Sequence, residues 1–234
     1  MGQVISIIGN KGGTGKTTLS HMLAHGMGLF DRRAVAILTD TYRDKLSKQS
    51  RTYLPFDART SEELDRAKAK LVAADDWTGI IDGGGNRPEM DDKLAAMADL
   101  VILPFRDSHE DIRTLVRDLE RFPNAYALPS QWPTNRWAEG CAQRSINTLL
   151  DGYQQRILAP VYALSCTKIL LQNELPRGLP MQLHNACREI AFQVMELLGI
   201  EVDDGNWLDA QDPERLAAKM PGALLQMGDE IHAA

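Results

Sequence analysis

The sequence predicts an α/β fold in which a mostly parallel, twisted β-sheet is flanked by helices on both faces. Short apolar runs rich in Val, Ile and Leu alternate with longer stretches of helical period, which is the pattern of successive βα units. A glycine-rich segment also joins the first apolar run to the first helical stretch. The strands are expected at residues 4–8, 35–39, 79–82, 100–104, 125–128 and 157–159.

Capping signals in the sequence predict where the helices begin. Thr60 followed by Glu63 has the spacing of a capping box, and Ser108 followed by Asp111 has a similar spacing. A third amphipathic stretch begins at Met181 and precedes a glycine, which is a common residue just beyond a helix. These helices are expected to end near Ala73, Arg121 and Leu198.

The composition is that of a globular protein in a reducing compartment. The chain has 234 residues, of which 44% are apolar and 25% charged, which is enough for one large domain with a buried core. Its three cysteines are odd in number and form no C-x-x-C pair, so neither a disulfide framework nor an Fe–S cluster is expected. No apolar run approaches the roughly 20 residues that span a bilayer. We therefore expect a cytoplasmic protein with a single domain over 1–234.

The negative charge of the chain is concentrated at its C-terminal end. The net charge is −6, and the stretch from Glu196 to Ala234 contains nine acidic residues and two basic ones. Residues 1–195 are therefore close to neutral. An acidic end is a poor membrane anchor and a poor nucleic-acid arm, and we expect 203–234 to be an acidic, mobile segment of the domain.

The segment that follows the first predicted strand has the pattern of a phosphate-binding loop. It reads Gly9-Asn10-Lys11-Gly12-Gly13-Thr14-Gly15-Lys16-Thr17-Thr18 and opens a helix, which is the context that such a loop requires. Glycines let backbone N–H groups converge on phosphate oxygens, and the helix N-terminus adds positive potential. Lys16 is placed to reach the β and γ phosphates, and the Thr17 hydroxyl to ligate Mg²⁺. The sequence therefore predicts a P-loop NTPase.

The loop departs from the general pattern at its start. The pattern G-x-x-x-x-G-K-[ST] begins with glycine where this chain has Asn10, and a second lysine, Lys11, follows. The run Lys-Gly-Gly-x-Gly-Lys-Thr-Thr resembles the deviant Walker A motif of the ParA/MinD family of ATPases. The resemblance implies Mg²⁺-dependent ATP hydrolysis with low basal turnover. It also implies that Lys11 reaches across a dimer to the partner's ATP.

The resemblance extends to two aspartates at predicted strand ends. Asp40 stands where the family has an aspartate that positions the attacking water, and Asp82 ends a strand similar to Walker B, which with Thr17 implies a Mg²⁺ site. The loops that follow differ from the family, with residues 41–43 in place of the rest of D-x-D-P-Q and residues 83–86 in place of Thr-Pro-Pro. A strand-end turn is the alternative for Asp40, and an ordinary buried strand is the alternative for Asp82. The catalytic residues implied are Lys11, Lys16, Asp40 and Asp82.

The resemblance weakens in the last third of the chain. Leu158-Ala159-Pro160 is similar to a family strand whose following loop encloses the adenine, so Pro160 is expected near the base. The ATP-binding residues implied are Lys11, Gly12, Gly13, Thr14, Gly15, Lys16, Thr17, Thr18 and Pro160. In ParA proteins, basic residues of this half bind DNA without sequence preference. The candidates by position are Arg136, Arg144, Arg156, Lys168, Arg177 and Arg188, with scattered solvated side chains as the alternative.

The resemblance implies an ATPase that dimerises on binding ATP, binds DNA non-specifically and positions a plasmid, chromosome region or protein cargo. A ParB-like or cargo adaptor protein would stimulate hydrolysis, and the protein would associate with the nucleoid. Because the loop begins near residue 10, we expect no preceding helix-turn-helix domain. Two alternatives remain open. A MinD-like membrane ATPase would end in a basic amphipathic helix, which the acidic tail does not resemble, and a metabolic P-loop enzyme would not need Lys11.

Overall fold

The computed structural model describes residues 2–40, 45–74, 76–85 and 88–202. The acidic segment expected over 203–234 lies outside the described residues. A seven-stranded parallel sheet has the order β3-β2-β4-β1-β5-β6-β7. Its strands are β1 (Gln3–Ile7), β2 (Arg33–Leu38), β3 (Leu54–Asp57), β4 (Trp77–Asp82), β5 (Leu100–Phe105), β6 (Ala125–Trp132) and β7 (Val161–Tyr162). The predicted fold class is confirmed.

Six α-helices cover the two faces of this sheet in the described part of the chain. They are α1 (Lys16–Leu29), α2 (Ser61–Ala73), α3 (Pro88–Met97), α4 (His109–Arg121), α5 (Arg136–Leu149) and α6 (Met181–Leu197). Short 3₁₀ helices occupy Gln154–Arg156 and Ser165–Leu171. Helices α2 to α5 contribute to one apolar cluster, whereas α1, α6 and the Ser165–Leu171 helix contribute to the other. The core is therefore two layers separated by the sheet.

The central strand β1 shows how the sequence alternates between the two layers. Val4 belongs to the cluster under α2 to α5, whereas Ile5 and Ile7 belong to the cluster under α1 and α6. Ile5 and Ile7 are fully buried. Because side chains of a strand point alternately to opposite faces, a strand covered on both faces needs apolar side chains on each of them. This arrangement fixes the end of β1, where the glycine-rich segment begins.

Helix α1 packs unusually close to its neighbours because two of its residues are glycines. A Cβ on Gly26 would lie 2.0 Å from the carbonyl oxygen of Cys187 in α6. A Cβ on Gly28 would lie 2.2 Å from the carbonyl oxygen of Thr52. The backbones of α1 and its neighbours thus approach to distances that only glycine permits.

Most predicted elements are confirmed within a few residues, with two differences among the strands. The segment 157–159 is predicted as a strand, but it contains only an isolated bridge from Ile157 to Ala127, and the last strand is β7. Strand β3 is not predicted, because its four residues include Pro55. Strand β3 lies at the edge of the sheet, which is where proline is most often found in strands.

The predicted helix starts are confirmed by the capping contacts. The Thr60 side chain accepts from the Glu63 N–H, and the Glu63 carboxylate accepts in return from the Thr60 N–H. The Ser108 side chain accepts from the Asp111 N–H at the start of α4. Among the described residues, no helix combines the length and the apolar character needed to cross a membrane.

Candidate functional site

The loop between β1 and α1 has the backbone shape of a phosphate-binding loop. Gly9, Gly13 and Gly15 have φ of 139°, 78° and 87°, which is the left-handed region that favours glycine. A Cβ on Gly12 or Gly13 would meet nothing within 4 Å, so the outer side of the loop is open. We call residues 9–18 the phosphate loop. Its backbone can be approached closely by a ligand from the open side.

Helix α1 begins at this loop without a capping side chain. Its N-cap residue is Gly15, and its first turn contains no acidic residue. By contrast, α2, α4 and α5 are capped by Thr60, Ser108 and Asn135. Because the first N–H groups of a helix lack intrahelical partners, an uncapped start favours an anion. The N-terminal end of α1 therefore has the chemistry of an anion-binding site.

The Lys16 side chain folds back over the phosphate loop. Its Nζ donates to the carbonyl oxygen of Lys11 over 2.7 Å. Burial lowers the pKa of Lys16, and the carboxylates of Asp91, Asp82 and Asp118 oppose that effect. The Ser130 hydroxyl, at the end of β6, donates to the Thr14 carbonyl over 2.7 Å. The loop therefore holds a cation inside its curve and is hydrogen-bonded to β6.

The two aspartates predicted at strand ends lie at the same edge of the sheet as the phosphate loop. Asp82 pairs in register with Ile7, directly before the loop, and is almost fully buried. The Thr39 hydroxyl donates to the Asp82 carbonyl over 2.8 Å, which holds the end of β2, and with it Asp40, next to the end of β4. The structure thus brings Lys16, Asp82 and Asp40 to one edge.

The oxygen donors at this edge fit a magnesium site that keeps most of its water ligands. Thr17 is half-buried in the first turn of α1, and the Asp82 carboxylate lies near Lys16. Mg²⁺ prefers hydroxyl, carboxylate and phosphate oxygens and is commonly held by one or two protein groups. Within the described ranges, no group of three or more His, Cys, Asp or Glu side chains has the geometry of a metal site. The donor set therefore fits a Mg²⁺–nucleotide complex better than a metal cage built from protein alone.

The second lysine of the loop is turned toward α4. Lys11 Nζ lies 2.8 Å from the Glu110 carboxylate and 3.9 Å from the Asp111 carboxylate. Its side chain is about one-third exposed, and that of Glu110 is 79% exposed. An exposed ion pair of this kind is worth roughly 0.2–1 kcal/mol. Breaking the ion pair between Lys11 and Glu110 therefore requires little free energy.

Sequence reasoning did not find the buried carboxylates behind the phosphate loop. Asp91 of α3, Asp111 and Asp118 of α4 are all nearly inaccessible. Burial raises the pKa of Asp91 to about 6, and the nearby ammonium of Lys16 opposes the rise. Asp111 and Asp118 are seven residues apart and so share one face of α4. That spacing is a signal which could have indicated them, whereas nothing in the sequence distinguishes Asp91 from an exposed helical acid.

The raised pKa of Asp91 predicts a pH-dependent contribution to stability. The folded pKa of about 6 exceeds the unfolded value, so Asp91 favours the folded state most below the unfolded pKa, and this contribution is lost as pH rises through 6. We expect the free energy of unfolding of Asp91→Asn, relative to the wild type, to rise between pH 4 and 7 and stay level above. Urea unfolding at each pH measures this. A pH-independent difference, matching that of the exposed control Asp107→Asn, would contradict it.

The adenine role of Pro160 is not supported by the contacts of the phosphate loop. Pro160 lies between the Ile157 bridge and β7, within the segment that runs beside β6. The described side-chain contacts from the end of β6 to the loop come from Ser130 and from Gln131, whose side chain donates to the Gly13 carbonyl over 3.0 Å. The role of Pro160 stays a prediction.

The six basic residues predicted for DNA contact do not form one surface. Arg136 and Arg144 are exposed on α5, whereas Lys168 and Arg177 are exposed near the Ser165–Leu171 helix. Helix α5 and the Ser165–Leu171 helix pack on opposite faces of the sheet, so the two groups of basic residues lie on different sides of the molecule.

Two of the six are unsuited to DNA contact, which corrects the prediction for them. Arg188 is buried in α6. The Arg156 guanidinium donates to the carbonyls of Ala125, Leu119 and Phe122 at 2.7–3.0 Å, so it satisfies the C-terminal end of α4. Four candidates remain, Arg136, Arg144, Lys168 and Arg177.

The sheet, its order and the phosphate loop define an α/β fold of the P-loop NTPase type, and solved ATPases of the ParA/MinD type share this fold. No protein-family model and no curated protein sequence matches this chain. Solved structures do match it, at sequence identities that establish the fold alone.

Three of these structures illustrate the likeness. The ATP complex of a Cyanothece McdA variant is 17% identical, with a TM-score of 0.60 over 85% of this chain and 97% of that one. A putative plasmid partition protein of Borrelia burgdorferi bound to AMPPNP is 13% identical, with a TM-score of 0.59 over 85% and 98%. The septum site-determining protein MinD of Pyrococcus horikoshii with Mg-ADP is 16% identical, with a TM-score of 0.62 over 86% and 98%.

The same fold also occurs in a biosynthetic enzyme. The cobyrinic acid a,c-diamide synthase of Mycobacterium smegmatis with bound ADP and magnesium is 18% identical, with a TM-score of 0.59 over 85% of this chain and 96% of that one. The fold is therefore compatible with both positioning ATPases and metabolic enzymes. The residues of the site are needed to distinguish these two functions.

Proposed function

We propose that this chain is a Mg²⁺-dependent ATPase that dimerises on binding ATP, binds duplex DNA without sequence preference and positions a cargo. The observation that carries the proposal is the phosphate loop with its two lysines. Lys16 lies inside the curve of the loop, whereas Lys11 points away from it toward an exposed acid. A loop that serves only its own nucleotide needs one lysine, so the second is assigned to a neighbouring molecule.

The phosphate loop supplies the binding of the nucleotide. The open backbone at Gly12 and Gly13 and the uncapped start of α1 donate N–H groups to phosphate oxygens. Lys16 exchanges the Lys11 carbonyl for the β and γ phosphates. Thr17 and Asp82 would hold Mg²⁺, which would neutralise charge on the phosphates. Asp40, at the same edge, orients the attacking water.

Lys11 couples nucleotide binding to dimerisation. Its ion pair with Glu110 is exposed and weak, so Lys11 can turn to the phosphates of a second copy once the two loops face each other. ATP then favours the dimer, and hydrolysis returns it to monomers. We propose low basal turnover, stimulated by a ParB-like or cargo adaptor protein.

The proposed DNA contact lies on the outer face of α4 and α5. Arg136 and Arg144 are exposed on α5, where Trp137 is 78% exposed, and α4 adds the exposed Arg113 and Arg117. Basic side chains that neutralise phosphates make binding steeply salt-dependent, and an exposed aromatic ring adds contact area. The protein would then be nucleoid-associated in the cytoplasm, and residues 1–234 would act as a single ATPase domain.

The experiment is binding to non-specific duplex DNA at moderate salt with ATP, ADP or no nucleotide. We expect binding by the wild type with ATP only, and no binding by Lys11→Ala or Lys16→Ala. Replacing both Arg136 and Arg144 with alanine should weaken DNA binding at least tenfold without changing ATP affinity. The exposed Arg66→Ala on α2 is the matched control for loss of charge.

The outcomes separate the proposal from its alternatives. No DNA binding in any nucleotide state, with ATP hydrolysis intact, would contradict the DNA-dependent model. Vesicle sedimentation with ATP would then test the MinD-like alternative. Product formation that needs neither a dimer nor Lys11 would indicate a metabolic enzyme, the class to which the cobyrinic acid synthase belongs.

A further inference from the structure

The phosphate loop is contacted from behind by two buried carboxylates. Asp91 of α3 lies near the start of the loop, where the backbone N–H of Gly9 opposes the rise of its pKa, and the backbone N–H of Asn10 acts in the same way on the pKa of Asp118 of α4. The Asn10 side chain also donates to Asp118 Oδ1 over 3.4 Å. Both aspartates are nearly inaccessible to solvent. These contacts fall at the first two residues of the loop, where the chain leaves β1.

Asn10 stands at the position where the general phosphate-loop pattern has glycine. The backbone does not require glycine there, because Asn10 is not among the residues with positive φ. Its side chain instead supplies a second donor to Asp118. The departure from the pattern therefore has a structural partner in α4.

Burying carboxylates costs free energy unless charge and hydrogen bonds compensate. Here part of the compensation comes from Lys16, whose ammonium interacts with both Asp91 and Asp118, and part from the loop N–H groups. Asp91 Oδ2 and Asn10 Oδ1 nevertheless make no hydrogen bond with the described residues. A cleft lined by Lys11, Asp111 and Asp118 lies between the loop and α4, and the hydrogen bond from Asn10 to Asp118 joins the two.

We propose that Asn10, Asp91 and Asp118 form a brace that fixes the first turn of the phosphate loop in the shape required for nucleotide binding. Asp91 and Asp118 are then positioning residues, which act through the loop backbone and do not touch the phosphates. This inference rests on the proposed function for its ligand, since the brace serves a nucleotide only if the loop binds one.

The brace links the loop to the two helices that follow the neighbouring strands. Helix α3 follows the glycine-rich segment after Asp82. Helix α4 carries Glu110, the partner of Lys11, in its first turn. Helix α3 reaches the loop through Asp91, and α4 reaches it through Asp118 and through the two acids near Lys11. The brace thus provides a direct path from the Walker B side of the site to the phosphate loop.

The test compares removal of each acceptor with its conservative replacement. The probe is an N-methylanthraniloyl ATP analogue with Mg²⁺, and a second readout is hydrogen exchange of the peptide covering residues 8–15 in nucleotide-free protein. We expect Asp118→Ala and Asp91→Ala to weaken binding tenfold or more and to speed exchange at least tenfold. Asp118→Asn and Asp91→Asn keep an acceptor oxygen and should stay within threefold of the wild type.

Two further variants complete the series. Asn10→Gly restores the general pattern but removes one donor, so we expect two- to fivefold weaker binding and faster exchange. Asp107→Ala removes an exposed acid just before α4 and should stay within twofold in both readouts. If the alanine variants do not fold, Asn10→Gly still tests the brace in both readouts.

Two results would overturn the brace. The first is an Asp118→Ala variant whose affinity for the ATP analogue and whose hydrogen exchange both equal those of the wild type. If only Asn10→Gly folds, the same result for that variant would overturn the brace. The other is asparagine variants as impaired as the alanine variants, which would assign the effect to charge. If the wild type binds no nucleotide, the proposed function fails, and the exchange series in nucleotide-free protein still tests the brace.

Discussion

Lys16→Ala is expected to lower the affinity for Mg²⁺–ATP by about 100-fold or more. The ammonium is held inside the curve of the phosphate loop by the Lys11 carbonyl, 2.7 Å away, where phosphate oxygens would replace that carbonyl. Charge-assisted hydrogen bonds contribute about 1.5–3 kcal/mol each, so two lost contacts to phosphates correspond to at least this change in affinity. Isothermal titration with ATP and Mg²⁺ measures it.

The same substitution affects the fold, and the two effects must be separated. Lys16 interacts with Asp91, Asp82 and Asp118, and removing one partner of a buried ionic group costs roughly 3–5 kcal/mol. Thermal unfolding without nucleotide therefore accompanies the titration. The exposed Lys45→Ala is the control for loss of charge. A folded Lys16→Ala that binds ATP within threefold of the wild type would contradict the assignment of this loop.

Gly26→Ala is expected to destabilise the protein by about 3 kcal/mol or to prevent folding. The added methyl would lie 2.0 Å from the Cys187 carbonyl oxygen and 2.8 Å from the Ala191 Cβ, both on α6. Neither atom is the end of a flexible side chain, so α1 and α6 must move apart along their shared face. Urea unfolding followed by circular dichroism measures the loss.

Gly140→Ala is the matched control, because the same substitution in a helix is expected to have the opposite sign. On α5 the added methyl would meet nothing nearer than Arg144 Nη1 at 3.6 Å. Alanine in an open helix position is favoured over glycine by about 0.8–1.0 kcal/mol, so this variant should be slightly more stable than the wild type. Equal effects of the two substitutions would show that packing between α1 and α6 is not the cause.

The parts of the fold that local chemistry determines could be predicted from the sequence. Strands β1, β4 and β5 are rich in apolar residues and almost fully buried because both faces of the sheet are covered. The capping residues Thr60 and Ser108 mark helix starts through contacts within a few residues. The phosphate loop is similarly local, since glycines, lysine and hydroxyl all lie within ten consecutive positions. Strand β3 was missed because it has only four residues, one of which is Pro55, and its place beside β2 is a tertiary property.

The residues that sequence reasoning missed or misassigned depend on contacts between distant segments. Arg156 has the same local signature as an exposed arginine, but its guanidinium lies against the carbonyls that end α4. Asp91 and Asp118 belong to helices with many charged residues, and only the packing of those helices behind the loop buries them. Burial of a charge is a property of the assembled fold, so neither composition nor spacing reveals it fully.

The uncapped start of α1 has a consequence for the lifetime of the protein. A ligand that binds only the folded chain adds RT ln(1 + [L]/Kd) to its stability, which is about 2.7 kcal/mol at a hundredfold excess over Kd. Because α1 lies against α6 at glycine-to-backbone distance, ordering its first turn with phosphate would strengthen the layer that α1 and α6 form. Under the proposed function, nucleotide-free copies are therefore less stable, and proteases would cleave them first. The amount of this protein in the cell would then follow the concentration of nucleotide.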